Sequence, residues 1–197
     1  MTPSHSLQII RREHAALAAV LRTMAQMVRA ARHHNRAPDF HALRAMLFYV
    51  SEYPERLHHV KETTMLFPRI RHYTHEVNDV LAALDHEHSR GEDLIRGLNH
   101  LLAAWEWLGE SRRDTFERAL ERYTEFYLKH MRTEEVEVLP LAEKLFSEDD
   151  WRVLDRAFLA HRDPLTGHRA EAPYEALFST IVRITPAPFG LAEEPAP

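Results

Sequence analysis

Four apolar stripes at helical spacing run through most of this chain, and all four are interrupted by histidine. The first lies between about Leu7 and Arg32, with Ile10, Leu17, Leu21, Met24 and Val28 recurring every three to four residues. HHNRAPDF breaks that pattern, and Asp39 after Pro38 is placed to cap the next helix. The second stripe carries Leu43, Leu47 and Val50, then Pro54 and Leu57. Pro54 is expected to kink or split that helix, because it lacks an N–H and its ring crowds the preceding turn. The third begins near Asn78, shows Val77, Leu81, Leu84, Ile95, Leu98 and Leu102, and ends around Trp105 to Gly109. The fourth starts after Ser111, shows Phe116, Leu120, Tyr123, Tyr127, Val138 and Leu141, and ends at about Phe146. Long amphipathic helices with short links predict an all-α fold, an up-and-down four-helix bundle.

SEDDW (147–151) reads as the cap of a fifth, shorter helix. Tyr174 to Ile184 is a last helical stretch. The expected organisation is a bundle over 1–147, a short helical C-terminal extension over 148–185 packing on it, and a Pro-rich, poorly ordered tail over 186–197. Composition fits: 5 Gly in 197 residues, with Ala, Leu, Arg and Glu abundant, favours helix. The net charge of −5 argues against a general nucleic-acid binder, which needs a basic footprint. The absence of cysteine excludes disulfides, thiolate zinc sites and thiol chemistry. No apolar run approaches membrane-spanning length and the N-terminus lacks a signal-peptide core, so a cytoplasmic location without membrane contact is expected. Nothing decides whether the chain forms a homodimer.

The interruptions carry the chemistry. His14 falls four residues after Ile10 and three before Leu17. The second stripe continues through His58 and Glu62, the third through His88 and Glu92, the fourth through His130 and Glu134. An i,i+4 pair projects both side chains above one helix face, so four helices contribute to one polar layer inside the bundle. Burying three glutamates together would raise their pKa values steeply. Two cations bridged by carboxylates remove that penalty, because seven ligands exceed what one ion takes. Imidazole and carboxylate without thiolate suit non-haem iron, and also manganese or zinc. His72 and Glu76 lie off the stripes and read as surface. His59 is expected to turn toward the flank, since only His58 is in i,i+4 register with Glu62. His86 competes with His88, but its i+4 residue is Arg90. Glu135 is expected to rotate away from the core, and Met65 to Pro68 to form a hydrophobic lid over the layer. Tyr127, one turn before His130, is placed either to hydrogen-bond a ligand or to fill the core. Nothing ties His161 to the layer.

The passages REHAAL (12–17), YPERLHHVKETTMLFPRI (53–70), EHSRGEDL (87–94) and HMRTEEVEVLPLAEKLFSEDDW (130–151) together resemble hemerythrin-like proteins of the HHE cation-binding family, over roughly residues 7–158. The resemblance implies a non-haem diiron centre in a four-helix bundle. By that likeness His14 and His58 would ligate one iron, and His88, His130 and Glu92 the other, with Glu62 and Glu134 bridging. Oxygen-carrying members have a second histidine on the third helix where Glu92 stands here, and end on an aspartate five residues after its histidine. An extra carboxylate in place of an imidazole should stabilise oxidised metals, so these departures point to sensing or iron handling rather than reversible oxygen carriage.

Three functions follow as expectations. The first is a protein that binds or senses dioxygen, nitric oxide, peroxide or iron itself at the dinuclear site. The second is a diiron oxidoreductase of ferroxidase or peroxidase type, less favoured because no organic substrate pocket is evident. The third is a metal-stabilised interaction module using Trp151, Phe158 and Leu159 as a docking face, although folding back on the bundle is the simpler use of that face.

Overall fold

The computed structural model describes residues 4–160, 163–166 and 175–185. Among them every regular element is helical. Helix α1 spans His5–His33 and begins at Ser4, whose Oγ accepts from the Leu7 N–H. The chain leaves it through Asn35, a residue type that tolerates its left-handed φ of 47°. Helix α2 covers residues 40–73 and is capped by Asp39, whose Oδ1 accepts from the Ala42 N–H at 2.9 Å. Helix α3 is Asn78–Leu108, closed by Gly109 at φ 82°, where a side chain would be strained. Helix α4 covers residues 113–145. Two shorter helices follow: α5, Glu148–Ala160, and α6, Glu175–Ile184. Ser147 and Asp150 exchange hydrogen bonds in both directions and start α5.

Helices α2 and α4 are not uniform. In α2 the backbone widens to π geometry over Ser51–His58 and again over Glu62–Leu66, and in α4 over Glu134–Val138. Each widening has a proline in it or just after it: Pro54 lies inside the first, Pro68 follows the second and Pro140 the third. A proline offers no N–H to the residue four back and clashes with its carbonyl, and a π-turn absorbs both defects without ending the helix. The expected break at Pro54 is therefore a register shift; the helix continues through it.

Helices α1 and α3 each pack against both α2 and α4. Two apolar clusters result. One is built on Leu17, Leu21, Met24, Leu43, Leu47, Leu98, Trp105 and Phe116. The other is built on Leu7, Ile10, Phe67, Ile70, Leu81, Leu84, Val138 and Leu139. Between them on every long helix lies a buried polar stratum: Glu13 and His14; Glu55, His58, His59 and Glu62; His88; His130 and Glu134. The extension covers the second cluster, where Leu154 and Phe158 of α5 are buried, and α6 lays Phe178 edge-on against Tyr49 and Tyr53. Of the apolar face expected on α5, Phe158 is buried and Trp151 half-buried against the same cluster, while Leu159 is exposed. His161 and the tail over 186–197 fall outside the described residues.

Candidate metal centre

The polar stratum has an inner ring and an outer ring. In the inner ring, His14 Nε2 is 3.2 Å from His58 Nε2 and 3.2 Å from Glu134 Oε2. His58 Nε2 is 3.2 Å from Glu62 Oε1. Opposite them, His88 Nε2 and His130 Nε2 are 3.1 Å apart. His130 Nε2 is 3.3 Å from Glu134 Oε1, and His88 Nε2 is 3.5 Å from Glu62 Oε2. Each glutamate thus offers one oxygen to the His14/His58 side and the other to the His88/His130 side. Ring nitrogens of His59, His88 and His130 and an oxygen of Glu62 lie within 4.8 Å of one another, as do donor atoms of His14, His58 and Glu62.

The outer ring orients the imidazoles. His58 Nδ1–H donates to Glu13 at 2.6 Å, His14 Nδ1–H to Glu135 at 3.0 Å and His130 Nδ1–H to Glu87 at 2.9 Å. His59 Nδ1–H reaches Glu55 at 3.2 Å, and His88 Nδ1 meets the Thr63 hydroxyl at 2.8 Å. A carboxylate can only accept, so the four carboxylate contacts hold a proton on Nδ1 of His14, His58, His59 and His130 and turn Nε2 inward, whereas the Thr63 hydroxyl can serve His88 as donor or acceptor. This is how metal-binding histidines are held.

Whether a cation fits can be judged from the carboxylates. Glu62 and Glu134 are completely buried, and all four of their carboxylate oxygens lack an aligned hydrogen-bond donor. A buried carboxylate charge costs several kcal/mol unless a positive group balances it, and among the described residues only imidazoles stand within ion-pair distance of these two. The paired imidazoles face each other through Nε2 at 3.1–3.2 Å, a contact that needs a proton or a metal ion between the two nitrogens. Those separations match two ligands bound at about 2.0–2.1 Å to one ion. The donor set fits cations, and the protonation preferences show the same demand for positive charge. Burial disfavours a charged His58, yet the carboxylates of Glu62 and Glu13 raise its pKa well above the ordinary value. Burial likewise opposes a charged His130, but chiefly Glu134 pushes it up to about 10. Burial would raise the Glu134 pKa, but His130 holds it well below the usual range. His59 goes the other way: burial, then the neighbouring imidazoles, pull it well down.

Of the residues expected in the site, His14, His58, Glu62, His88, His130 and Glu134 converge. Glu92 does not. Its side chain is 54% exposed, with Arg96 as its ion-pair neighbour. The buried stripe of α3 runs Leu81, Leu84, His88, Gly91, Ile95, Leu98, stepping three residues after His88 rather than four. The stripe thus passes through Gly91 and leaves Glu92 outside. The expectation for His59 also fails: it is buried in the centre, its ring stacked on His88 with centroids 4.3 Å apart. The π-turns on either side of it give α2 a register in which consecutive histidines both face inward.

Glu135 does rotate out of the inner ring, but it is the partner of His14. Tyr127 contacts no carboxylate of the inner ring; its hydroxyl donates to Glu55. His72, Glu76 and His86 are exposed, as their positions off the stripes imply. Leu66 and Phe67 close one side of the layer, Phe67 stacking on His88. Glu13, Glu55, Thr63 and Glu87 carry no signal in the spacing, since their partners lie on other helices or in a shifted register.

The family model described as Hemerythrin HHE cation binding domain matches residues 5–142. No curated protein and no solved structure matches the chain.

Proposed function

Because the chain belongs to the hemerythrin HHE cation-binding family, we propose that its polar layer holds two iron ions and binds or senses a small ligand there: dioxygen, nitric oxide or peroxide. We read the four long helices as the up-and-down bundle of such proteins. His14 and His58 would hold one ion, His88 and His130 the other, with Glu62 and Glu134 between them. Manganese and zinc suit the same donors. The observation that carries this reading is the set of four buried carboxylate oxygens with no aligned donor. Bound iron supplies a redox-active centre that can take up a small molecule.

The protein's own residues favour binding over turnover of a larger substrate. With Glu92 outside the site, no extra carboxylate takes the place of an imidazole, and the donor set suits reversible oxygen binding as well as sensing. A small cavity touches His14 and His58, lined also by Glu13 and Asp163 and closed by Leu17, Tyr53, Pro54 and Leu57. Its size suits a molecule of a few atoms. No described helix is long and apolar enough to cross a membrane.

Anaerobic loading with ferrous iron, followed by metal analysis and exposure to dioxygen, nitric oxide or peroxide, tests the reading. Two iron atoms per chain and a visible spectrum that changes with one of these ligands are expected. A chain that retains no iron, or a loaded protein whose spectrum ignores all three, overturns it.

A further inference from the structure

The fifth inward imidazole, His59, is tied to a buried network that the metal-binding reading does not explain. Glu55 lies one turn before it on α2 and is 3% exposed. Its Oε2 takes the His59 Nδ1–H, while its Oε1 accepts two hydroxyls, from Tyr123 at 2.9 Å and Tyr127 at 2.6 Å. The Tyr127 ring lies parallel to His59, with centroids 5.4 Å apart and planes within 1°. On its other neighbour, His88, the His59 ring stacks within 13°. The imidazole thus runs parallel to two neighbouring rings and is held at Nδ1.

Gly91 makes the room. A Cβ at that position would lie 1.7 Å from the Tyr127 hydroxyl oxygen and 3.0 Å from Glu55 Oε1. The inward stripe of α3 has no side chain one turn beyond His88, and the tyrosine hydroxyl fills that space. Glycine inside a long helix costs about 1 kcal/mol relative to alanine, and here the cost has a structural use.

We propose that Glu55, held by Tyr123 and Tyr127 in the space that Gly91 vacates, positions His59 as a further ligand to the ion on the His88/His130 side. This inference rests on the metal-binding reading above. The chain then draws two neighbouring imidazoles from α2, one for each half of the centre, and asks only one of α3. The π-turns supply the register, and Glu55 supplies the tautomer. Glu55 is a positioning residue: it touches His59 and neither carboxylate of the inner ring.

Glu55→Gln is the discriminating variant. A carboxylate accepts on both oxygens, whereas an amide has a single acceptor oxygen and must give up either the tyrosines or His59. Cobalt(II) titration, read by visible absorption, should show two equivalents bound by the unaltered protein. In Glu55→Gln one equivalent should weaken about tenfold or more, the range seen when the partner of a metal-bound histidine is lost, and the other should stay about unchanged. In a His59→Ala background the same substitution should add nothing. The 15N spectrum of metal-free protein should show His59 as a single Nδ1–H tautomer that becomes mixed in Glu55→Gln. Tyr127→Phe should weaken the same equivalent, and carries the test should Glu55→Gln fail to fold. Unchanged affinities in the variants overturn the proposal, as does equal weakening with His59 absent. Should the unaltered protein bind no cobalt, the metal-binding reading falls and this one with it; two tight equivalents that ignore Glu55 sink this one alone.

Discussion

At the scale of single residues, the centre is governed by where buried charge can be balanced. Glu134 serves both halves of the inner ring, His58 only one. Glu134→Ala is therefore expected to lower metal content in both halves, and His58→Ala chiefly in one, as metal analysis after gel filtration would show. If both variants keep full metal, the ligand set is wrong. The pH dependence follows from the same groups. In metal-free protein the His130 pKa is raised to about 10, so its stabilising charge is fully present below about 6.5 and lost as pH rises through about 10. Glu134 is shifted down, so its contribution is present above the ordinary glutamate range and lost as pH falls through its lowered value. Thermal unfolding of metal-free protein should thus peak in the mildly acidic range and decline on both sides. Metal binding must expel the imidazole protons. Apparent affinity should climb with pH from about 6.5 toward 10, measurable by competition with a chelator, and a flat profile would contradict it.

At the scale of elements, the two bridging candidates share a local device. Glu62 opens one π segment and Glu134 another, and each is followed six residues later by a proline, Pro68 and Pro140. The proline removes one backbone donor, and the widened turn sets the register of the carboxylate relative to the helix beyond. Pro68→Ala and Pro140→Ala should firm the metal-free helix while weakening metal binding, because an α-register turns the glutamate away from the shared centre. Calorimetry on metal-free protein beside metal titration checks both signs; stabilisation with unchanged affinity would mean that tertiary packing alone holds the π-turns. The sequence pattern His, Glu four later, proline six after that is visible in both helices. Its consequence is not, because a 3.6-residue period carries no sign of an inserted residue and places His59 on the flank.

At the scale of the whole molecule, the centre is a polar slab between two apolar clusters, and the C-terminal extension seals one of them. Phe158 is buried against Leu7 and Ile10, its ring 6.3 Å from His58. Phe158→Ala should cost about 3–5 kcal/mol by chemical denaturation; a loss under about 1 kcal/mol would make the extension dispensable. Asp163 anchors the next segment, accepting from the Tyr49 hydroxyl at 2.5 Å and the Leu165 N–H at 2.8 Å. Burial raises its pKa to about 6. An acid shifted upward stabilises the fold while protonated, so this contribution is full below about 3.8 and lost as pH rises through about 6, up to about 3 kcal/mol in all. Asp163→Asn should flatten that part of the stability profile. The helices, their inward stripes and six of the converging side chains can be read along the chain, because helical period is a local property and a polar residue on an apolar stripe stands out against it. That Glu92 faces solvent and His59 the centre, and which carboxylate steadies which imidazole, emerges once the helices are packed. Those choices depend on one-residue shifts of register and on contacts between helices far apart in the chain, and neither leaves a mark on the spacing of residues along it.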